Sequence, residues 1–448
     1  MRRVAIAGGG ASGTLLAVHL LRFARRPLEV VVVDPAEKLG RGRAYAEGQA
    51  VHLLNVRAAR MSARPDEPGH FTAWLSARRP GLRSPEEAFA PRALYGEYLE
   101  CVLAEAIREA GPGITFRHVR DGVVDAVPDR ARLNVVLGSG GVFEADRLAL
   151  APGNPPSSPP LAPAEGASWR WEDPLDPKAA EGLDPDAPVF VAGSGLSMVD
   201  LVTVLAASGH RGEVQVVSRR GLLPRAHPYA PHAPQPVPFW ALPRTARGLS
   251  AALRRLAGTL GSEGGSLAVE SFRPVTDALW AELPEGERRR FVRHLLPFWN
   301  VSRHRMAPDV ARTVASLRAE GRLRVTAGRI VGVREEGTTI TVEVRPRGSS
   351  STVPLRASRL FDATGPGNAL SLPLVRTVLA RGLVVPHPLG LGLDVSNGGR
   401  VRPLHGDGGC LLGALGPLAR GQAWESTAVP DIREQARALA AAWVGQLR

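Results

Sequence analysis

The hydrophobic positions change period twice within the first third of a hundred residues. Arg3 to Ala7 is a short continuous apolar run, the pattern of a strand buried on both faces of a parallel sheet. From Ser12 to Arg25 the apolar residues, Leu15, Val18, Leu21 and Phe23 among them, recur at helical spacing, and Leu28 to Val33 is a second buried-strand run. The pattern predicts a strand, a helix and a parallel strand. It returns beyond a proline-rich stretch, Asn154 to Pro188, with Pro188–Ala192 as strand, Ser197–Ser208 as helix and Glu213–Val217 as strand.

Each unit has a similar sequel. Gly122 to Gly153 and Val331 to Gly365 both give three alternating β segments with turns, then an apolar strand ending in Ala-x-Gly. An order stated twice predicts an α/β protein with two Rossmann-like, three-layer domains instead of one large sheet. Between the second unit and its meander lies an insertion, about Arg220 to Leu323, which opens with a loop carrying Pro224, Pro228, Pro231, Pro234, Pro236 and Pro238 and continues as basic helices. Gly416 to Arg448 reads as a turn and a helix with Pro430 in its first turn.

Composition narrows the function. The chain has 448 residues, 44% of them hydrophobic, enough for several packed cores. Its net charge is +13, and all but Lys38 and Lys178 of the 56 basic residues are arginine. The arginines are scattered instead of gathered on a stripe or tail, which argues against nucleic acid as partner and leaves a positive field suited to anionic small molecules. Cys101 and Cys410 form no C-x-x-C pair, which excludes a dithiol redox centre and a zinc knuckle; both are expected reduced and buried. No metal site is expected. No run approaches about eighteen apolar residues, so no membrane span is expected, and the glycines at 8, 9, 10 and 13 read as a strand-turn-helix, not a leader. A cytoplasmic location is expected.

The chemistry is carried by two glycine-rich turns. Gly8-x-Gly10-x-x-Gly13 follows a strand and opens a helix, where the glycines permit a tight turn, backbone approach to a pyrophosphate and close helix packing. Asp34 ends the next strand, where its carboxylate is placed to bond a ribose hydroxyl. Gly193-Ser-Gly195-Leu-Ser-Met198 repeats the turn with Met198 in the third glycine's place. Here the residue after the second strand is Ser218, followed by Arg219 and Arg220. A hydroxyl with two guanidinium groups in place of the acid suits a 2′-phosphate and favours NADPH over NADH, although the two arginines also suit a solvated turn.

In this order of parts the chain resembles the flavoproteins with two dinucleotide-binding domains, the glutathione-reductase-like and flavin-monooxygenase-like enzymes. More closely it resembles the bacterial FAD/NAD(P)-binding proteins of the YdhS type, through Val4–Leu21, Gly40-Arg41-Gly-Arg-Ala-Tyr45, His52–Val56 with Arg60-Met-Ser62, Val189–Arg225, Arg303-His-Arg-Met306, Leu415-Gly-Pro-Leu, Trp424-Glu425 and Thr427–Arg433. The resemblance implies that residues 1–160 begin an FAD-binding domain, that 185–365 form an NAD(P)-binding domain carrying the insertion at about 220–323, and that 366–448 complete the FAD-binding domain. It implies Gly8, Gly10, Ser12 and Gly13 at the FAD pyrophosphate, Asp34 at the ribose, Val124 near the adenine, and Gly416 with Thr427, Ala428 and Val429 near the ribityl chain and flavin ring. Arg41, Asn55 and Gly153 join this set, and Gly193, Gly195, Ser218, Arg219 and Arg220 form the NADPH site.

His52–Ala58 sits where disulfide reductases carry Cys-x-Asn-Val-x-Cys, but Leu53 and Ala58 occupy the cysteine positions. With no dithiol relay, electrons leaving a flavin go to oxygen, a bound substrate or a separate acceptor. Asn55 and Arg57 suit either a flavin contact or a packing role, and Arg92 either a flavin phosphate or an ion pair. His227, His232 and His304 are candidates for a substrate mouth, whereas Trp240, Trp280 and Trp299 read as core or pocket wall. The function implied is an FAD-dependent, NADPH-using oxidoreductase, a single-component flavin monooxygenase acting on a small, anionic molecule beneath the insertion. A flavin reductase or dehydrogenase serving another acceptor stays open, as does a non-catalytic flavin-binding scaffold, which Met198 favours. No catalytic side chain is assigned.

Overall fold

The computed structural model describes residues 1–46, 51–228, 234–261, 263–337, 339–396, 398–404 and 411–446. The chain opens with β1 (Arg2–Ala7), α1 (Ala11–Phe23) and β2 (Leu28–Val33), the predicted unit within two residues of its expected bounds. After α2 (His70–Arg78) and α3 (Arg92–Arg108), β3 (Ile114–Val119) leads into an antiparallel meander of β4 (Val123–Asp129), β5 (Arg132–Leu137) and β6 (Val142–Ala145), and β7 (Arg147–Leu150) returns beside β1. A two-residue strand, β8 (Trp171–Glu172), precedes the second unit, β9 (Val189–Ala192), α4 (Leu196–Ala207) and β10 (Val214–Ser218).

The insertion is helical, as expected: α5 (Ala246–Thr259), α6 (Gly264–Phe272), α7 (Thr276–Glu282), α8 (Glu285–Arg290), α9 (Leu296–Arg303) and α10 (Pro308–Ala319). Then come β11 (Leu323–Glu336), β12 (Thr339–Pro346), β13 (Val353–Ala357), β14 (Arg359–Asp362), α11 (Pro373–Ala380), β15 (Leu412–Ala414) and α12 (Val429–Gln446).

The first sheet is wholly parallel in the order β15-β7-β1-β2-β3. The second runs β8-β14-β9-β10-β11 in parallel and continues antiparallel through β12 and β13. The two orders correspond strand for strand. In each sheet the fifth strand pairs with a neighbour far away in sequence, β15 with β7 in the first and β8 with β14 in the second.

Two details depart from the sequence pattern. The first segment of the second meander is no separate strand: β11 pairs with β10 through Ala327 and with β12 from Gly328 onward, bending at an irregularity between Ile330 and Gly332. The proline-rich stretch is also more than a connection. Its Trp171 packs on Phe190 and donates Nε1–H to the Leu161 carbonyl at 2.7 Å, which anchors β8, a strand too short to show a period.

The cores follow from the apolar runs. Val4, Ile6, Val30 and Val32 are fully buried, and α1 covers them with Leu15, Leu16 and Leu20 while packing between α3 and α12. Each such side chain contributes about 1.5–3 kcal/mol of burial. Helix α1 is therefore held on all sides except its amino end. Helix α4 is fixed in the same way by Val199, Leu201, Val202 and Leu205 against Val189, Val191 and Val216.

Candidate active site

Both units turn sharply at the end of their first strand. Gly8 (φ 107°) and Gly193 (φ 100°) adopt a left-handed backbone, and a Cβ there would lie 2.3 Å from the Ala151 carbonyl oxygen and 2.2 Å from that of Ala363, respectively. Only glycine lets the turn press against the end of the neighbouring strand. Two residues on, the situation reverses. A Cβ at Gly195 meets nothing within 4 Å, and one at Gly10 meets only the Gly42 Cα, at 3.6 Å. Both directions open into clefts. Neither α1 nor α4 has an acidic residue in its first turn, so the partial positive charge of each amino end faces its cleft, ready for a phosphate.

The third positions differ by packing. A Cβ on Gly13 would lie 1.9 Å from the Gly8 carbonyl oxygen, whereas Met198 is fully buried in the second core. Val199 N still donates to Gly195 O at 3.2 Å, as Thr14 N does to Gly10 O at 3.0 Å. Met198 thus leaves the second turn intact and stays out of its cleft.

The first cleft, about 410 Å³, brings together Gly8, Gly10, Ser12, Asp34, Arg41, Gly153, Thr427 and Val429 from the sequence-derived set. Asp34 is held by accepting from Gly9 N at 2.6 Å and Ala36 N at 2.8 Å. Arg41 pairs with Glu100, and burial pushes the Tyr45 hydroxyl in the same wall up to about 12, so it stays protonated. Gly416 backs the cleft, so close to Ser12 that a Cβ would lie 3.0 Å from its Oγ. The Ala428 carbonyl accepts from Asp431 N and Ile432 N and starts α12. Behind this segment Arg303 reaches Glu425 at 2.8 Å and Asp431 at 3.5 Å, while Arg273 holds Asp431 at 3.1 Å. Burial raises the Asp431 carboxyl above its ordinary range, against the pull of Arg273 and Arg303.

Other candidates stand elsewhere. Asn55 does not line this cleft; its carbonyl oxygen meets His227 Nε2 at 2.9 Å. Val124 lies 42% exposed on β4. Arg57 donates to the Glu87 and Pro228 carbonyls, a bracing role. Arg92 forms a bidentate pair with Asp200, so the ion-pair alternative holds. Burial, reinforced by Arg305, lowers His227 to about 3. His232 and Cys410 lie outside the described residues, and Cys101 is half-buried instead of buried. Trp280 is core, Trp299 walls a pocket, and Trp240, at 85% exposed, does neither.

The second cleft, about 780 Å³, is lined by Gly193, Gly195, Ser218 and Arg219. The hydroxyls of Ser218 and Ser194 are linked at 2.8 Å, and Gly221 N donates to Ser218 at 3.0 Å. Arg220 turns away and stacks its guanidinium over Phe298, 5.7 Å from the ring centroid. Arg329 lines the cleft in its stead. It is brought there by the parallel pairing of Ser218 with Ala327, a tertiary juxtaposition with no local signal.

The two clefts meet. Ser197, Gly365 and Pro366 line both. Gly365 could have been found from the internal repeat, because it stands where Gly153 stands in the first unit. Asn300, His304 and Arg420 also line the second cleft. Burial, then the adjoining Arg303, depresses His304 to about 4, so its imidazole is neutral near pH 7.

Residues 5–155 match a protein family described as FAD-NAD(P)-binding. The nitrosuccinic acid synthase of Aspergillus oryzae is 30% identical over 230 residues, which cover 45% of this chain and 35% of that protein. The chain thus spans about a third of the length of that curated relative. Among solved structures, the reduced form of ornithine hydroxylase from Pseudomonas aeruginosa matches with a TM-score of 0.70 at 16% identity, covering 100% of this chain and 99% of that one. L-lysine 6-monooxygenase from Pseudomonas syringae matches with a TM-score of 0.67 at 18% identity, covering 99% of each chain. The segment that builds most of the first cleft therefore matches an FAD-NAD(P)-binding family, and the whole chain has the two-domain Rossmann-like fold of these flavoprotein structures.

Proposed function

We propose that this protein is an FAD-dependent, NADPH-using flavin monooxygenase that oxidises a small molecule, in the group of bacterial FAD/NAD(P)-binding proteins of the YdhS type and acting in the cytoplasm. The observation that carries this reading is the junction of two dinucleotide clefts at Ser197, Gly365 and Pro366. FAD, when bound, would supply hydride acceptance and oxygen activation. The open direction at Gly10 fits a pyrophosphate, and the amino end of α1 would hold it, with Ser12 and Gly13. Asp34 would bond the ribose; Arg41, Gly153, Gly416 and Thr427–Val429 would frame the remainder.

Residues 185–365 would hold NADPH, with Gly193 and Gly195 at its pyrophosphate and Ser218 and Arg219 at the 2′-phosphate, helped by Arg329. Residues 1–160 and 366–448 would together hold FAD. His304, neutral at pH 7, would manage a proton at its imidazole in the second cleft. The missing cysteines at Leu53 and Ala58 argue against a dithiol reductase.

Anaerobic mixing of the FAD-loaded protein with NADPH tests the reading. Rapid loss of the flavin's visible absorbance is expected. No bleaching by NADPH would overturn it. Quantitative peroxide release with every candidate substrate would instead identify an oxidase or reductase.

A further inference from the structure

Next to the second cleft lies a third cavity, about 490 Å³, lined by α5, α6, α7 and α9 of the insertion and by Trp424. Its walls are apolar, with the aromatic rings of Trp280, Trp299, Trp424, Phe272, Phe291 and Phe298 set among leucine and valine side chains. Trp280 and Trp424 meet at a tilt with 4.4 Å between centroids, and Phe291 meets Trp424 edge-on at 5.1 Å. Two of its polar groups are committed. Trp280 Nε1–H donates to the Gly421 carbonyl at 2.7 Å, and the Thr276 hydroxyl to that of Phe272 at 3.1 Å. An occupant would find apolar contact there and few free hydrogen-bonding groups.

The charge at its edge has one sign. Arg225 and Arg254 line the cavity, both exposed, and no Asp, Glu or His does among the described residues. A cationic group would meet two guanidinium groups and no carboxylate, whereas a carboxylate would find a partner. The cavity also adjoins the redox clefts. Val301 lines both it and the second cleft, and Trp424 stands three residues before Thr427 in the wall of the first. Its volume falls within the range of about 300–1,000 Å³ usual for small-molecule pockets.

We propose that this cavity receives the aromatic body of a small aryl carboxylate, with Arg225 and Arg254 drawing the acid, and that this compound class supplies the substrate. The identification of the compound as substrate rests on the monooxygenase reading; the binding site itself does not. The cavity thereby sets the protein apart from enzymes built to accept a diamino acid.

Titration of the FAD-loaded protein with 3-phenylpropionate, 2-phenylethylamine and L-ornithine, read by tryptophan emission and by calorimetry, tests the proposal. We expect 3-phenylpropionate to saturate with a Kd at least tenfold below that of 2-phenylethylamine, and ornithine to leave the emission unchanged. Leu253→Glu, which places a carboxylate in the wall from half-buried α5, should weaken 3-phenylpropionate at least tenfold, and Arg225→Ala with Arg254→Ala severalfold. Equal affinity for acid and amine, no saturable binding of the acid, or full affinity in folded Leu253→Glu would overturn it. If that variant does not fold, the comparison of three compounds on the unaltered protein decides alone. Should 3-phenylpropionate bind while NADPH fails to bleach the flavin, the redox reading falls and the cavity assignment stands; bleaching without binding gives the converse.

Discussion

Arg92 grips Asp200 with two parallel hydrogen bonds, Nη1 at 2.8 Å and Nη2 at 3.1 Å, across the boundary between the first nucleotide unit and the second. Arg92 begins α3 and Asp200 lies in the first turns of α4, the helix whose amino end faces the second cleft. A further bond from Arg92 Nε to the Leu53 carbonyl at 3.0 Å fixes the guanidinium plane. The pair thus ties the helix of one cleft to the scaffold of the other, and with it the meeting of the two at Ser197.

Removing one partner should expose its worth. Asp200 is buried, so Arg92→Ala leaves a carboxylate with no compensating charge there, and a loss of about 3–5 kcal/mol is expected. Urea unfolding of the purified variant measures it. Arg92→Ala combined with Asp200→Ala should recover part of the loss, because the stranded charge is gone; strictly additive losses would show that the pair carries no coupling.

Gly10→Val and Gly13→Val should fail in different ways. At Gly10 the added side chain enters the first cleft, so a folded, colourless protein is expected, with FAD uptake lost and the apoprotein melting point little changed. At Gly13 the Cβ would collide with the Gly8 carbonyl oxygen at 1.9 Å, so the fold itself should suffer. Absorbance at the flavin band together with circular dichroism separates the outcomes; a yellow, FAD-replete Gly10→Val protein would remove the first cleft from consideration.

Selectivity for NADPH should follow the cleft and not the sequence pair. Arg219→Ala is expected to lower the preference for NADPH over NADH by about tenfold or more, equivalent to about 1–3 kcal/mol of charge-assisted hydrogen bonding. Arg329→Ala should act in the same direction, while Arg220→Ala, whose guanidinium stacks on Phe298, should change the preference less than twofold. Flavin reduction rates with both nucleotides decide between the three residues; an Arg220→Ala effect as large as that of Arg219→Ala would contradict the stacked arrangement.

That contrast also marks what the sequence can disclose. The turns at Gly8 and Gly193, and the place of Asp34 in the first cleft, were legible because strand, turn and helix are consecutive in the chain. The repeat made the two sheets legible for the same reason. Arg329 was not, since it reaches the cleft only through the pairing of β11 with β10. Nor was the anchoring of Glu425 and Asp431 by Arg303, which joins positions 122 residues apart in the first case. Asn55 lies outside the lining of the first cleft, and its carbonyl meets His227, a contact between distant segments that its motif does not announce. The place of Met198 was not legible either, because whether it enters the cleft or the core is decided by packing, and it is buried in the second core.

His19 should make the fold acid-sensitive. It lies on the buried face of α1 with its ring beside Phe23 at 5.5 Å, and neither ring nitrogen has a hydrogen-bond partner among the described residues. Burial first, then Arg22, Arg437 and Arg64, lowers its pKa to about 4, with Asp66 opposing. Because the unfolded chain takes up this proton near pH 6.5 and the folded chain only near 4, the contribution is complete above 6.5 and is lost as pH falls toward 4. At about 1.4 kcal/mol per pH unit, that window is worth about 3 kcal/mol. His227 and His304 are displaced in the same direction and add to the slope. His19→Leu, which keeps the apolar contacts of α1, should therefore flatten the curve of unfolding free energy against pH between 6.5 and 4 without levelling it. Urea midpoints at four pH values across that window measure the difference; curves that stay parallel would mean that His19 is protonated, or hydrated, in the folded protein.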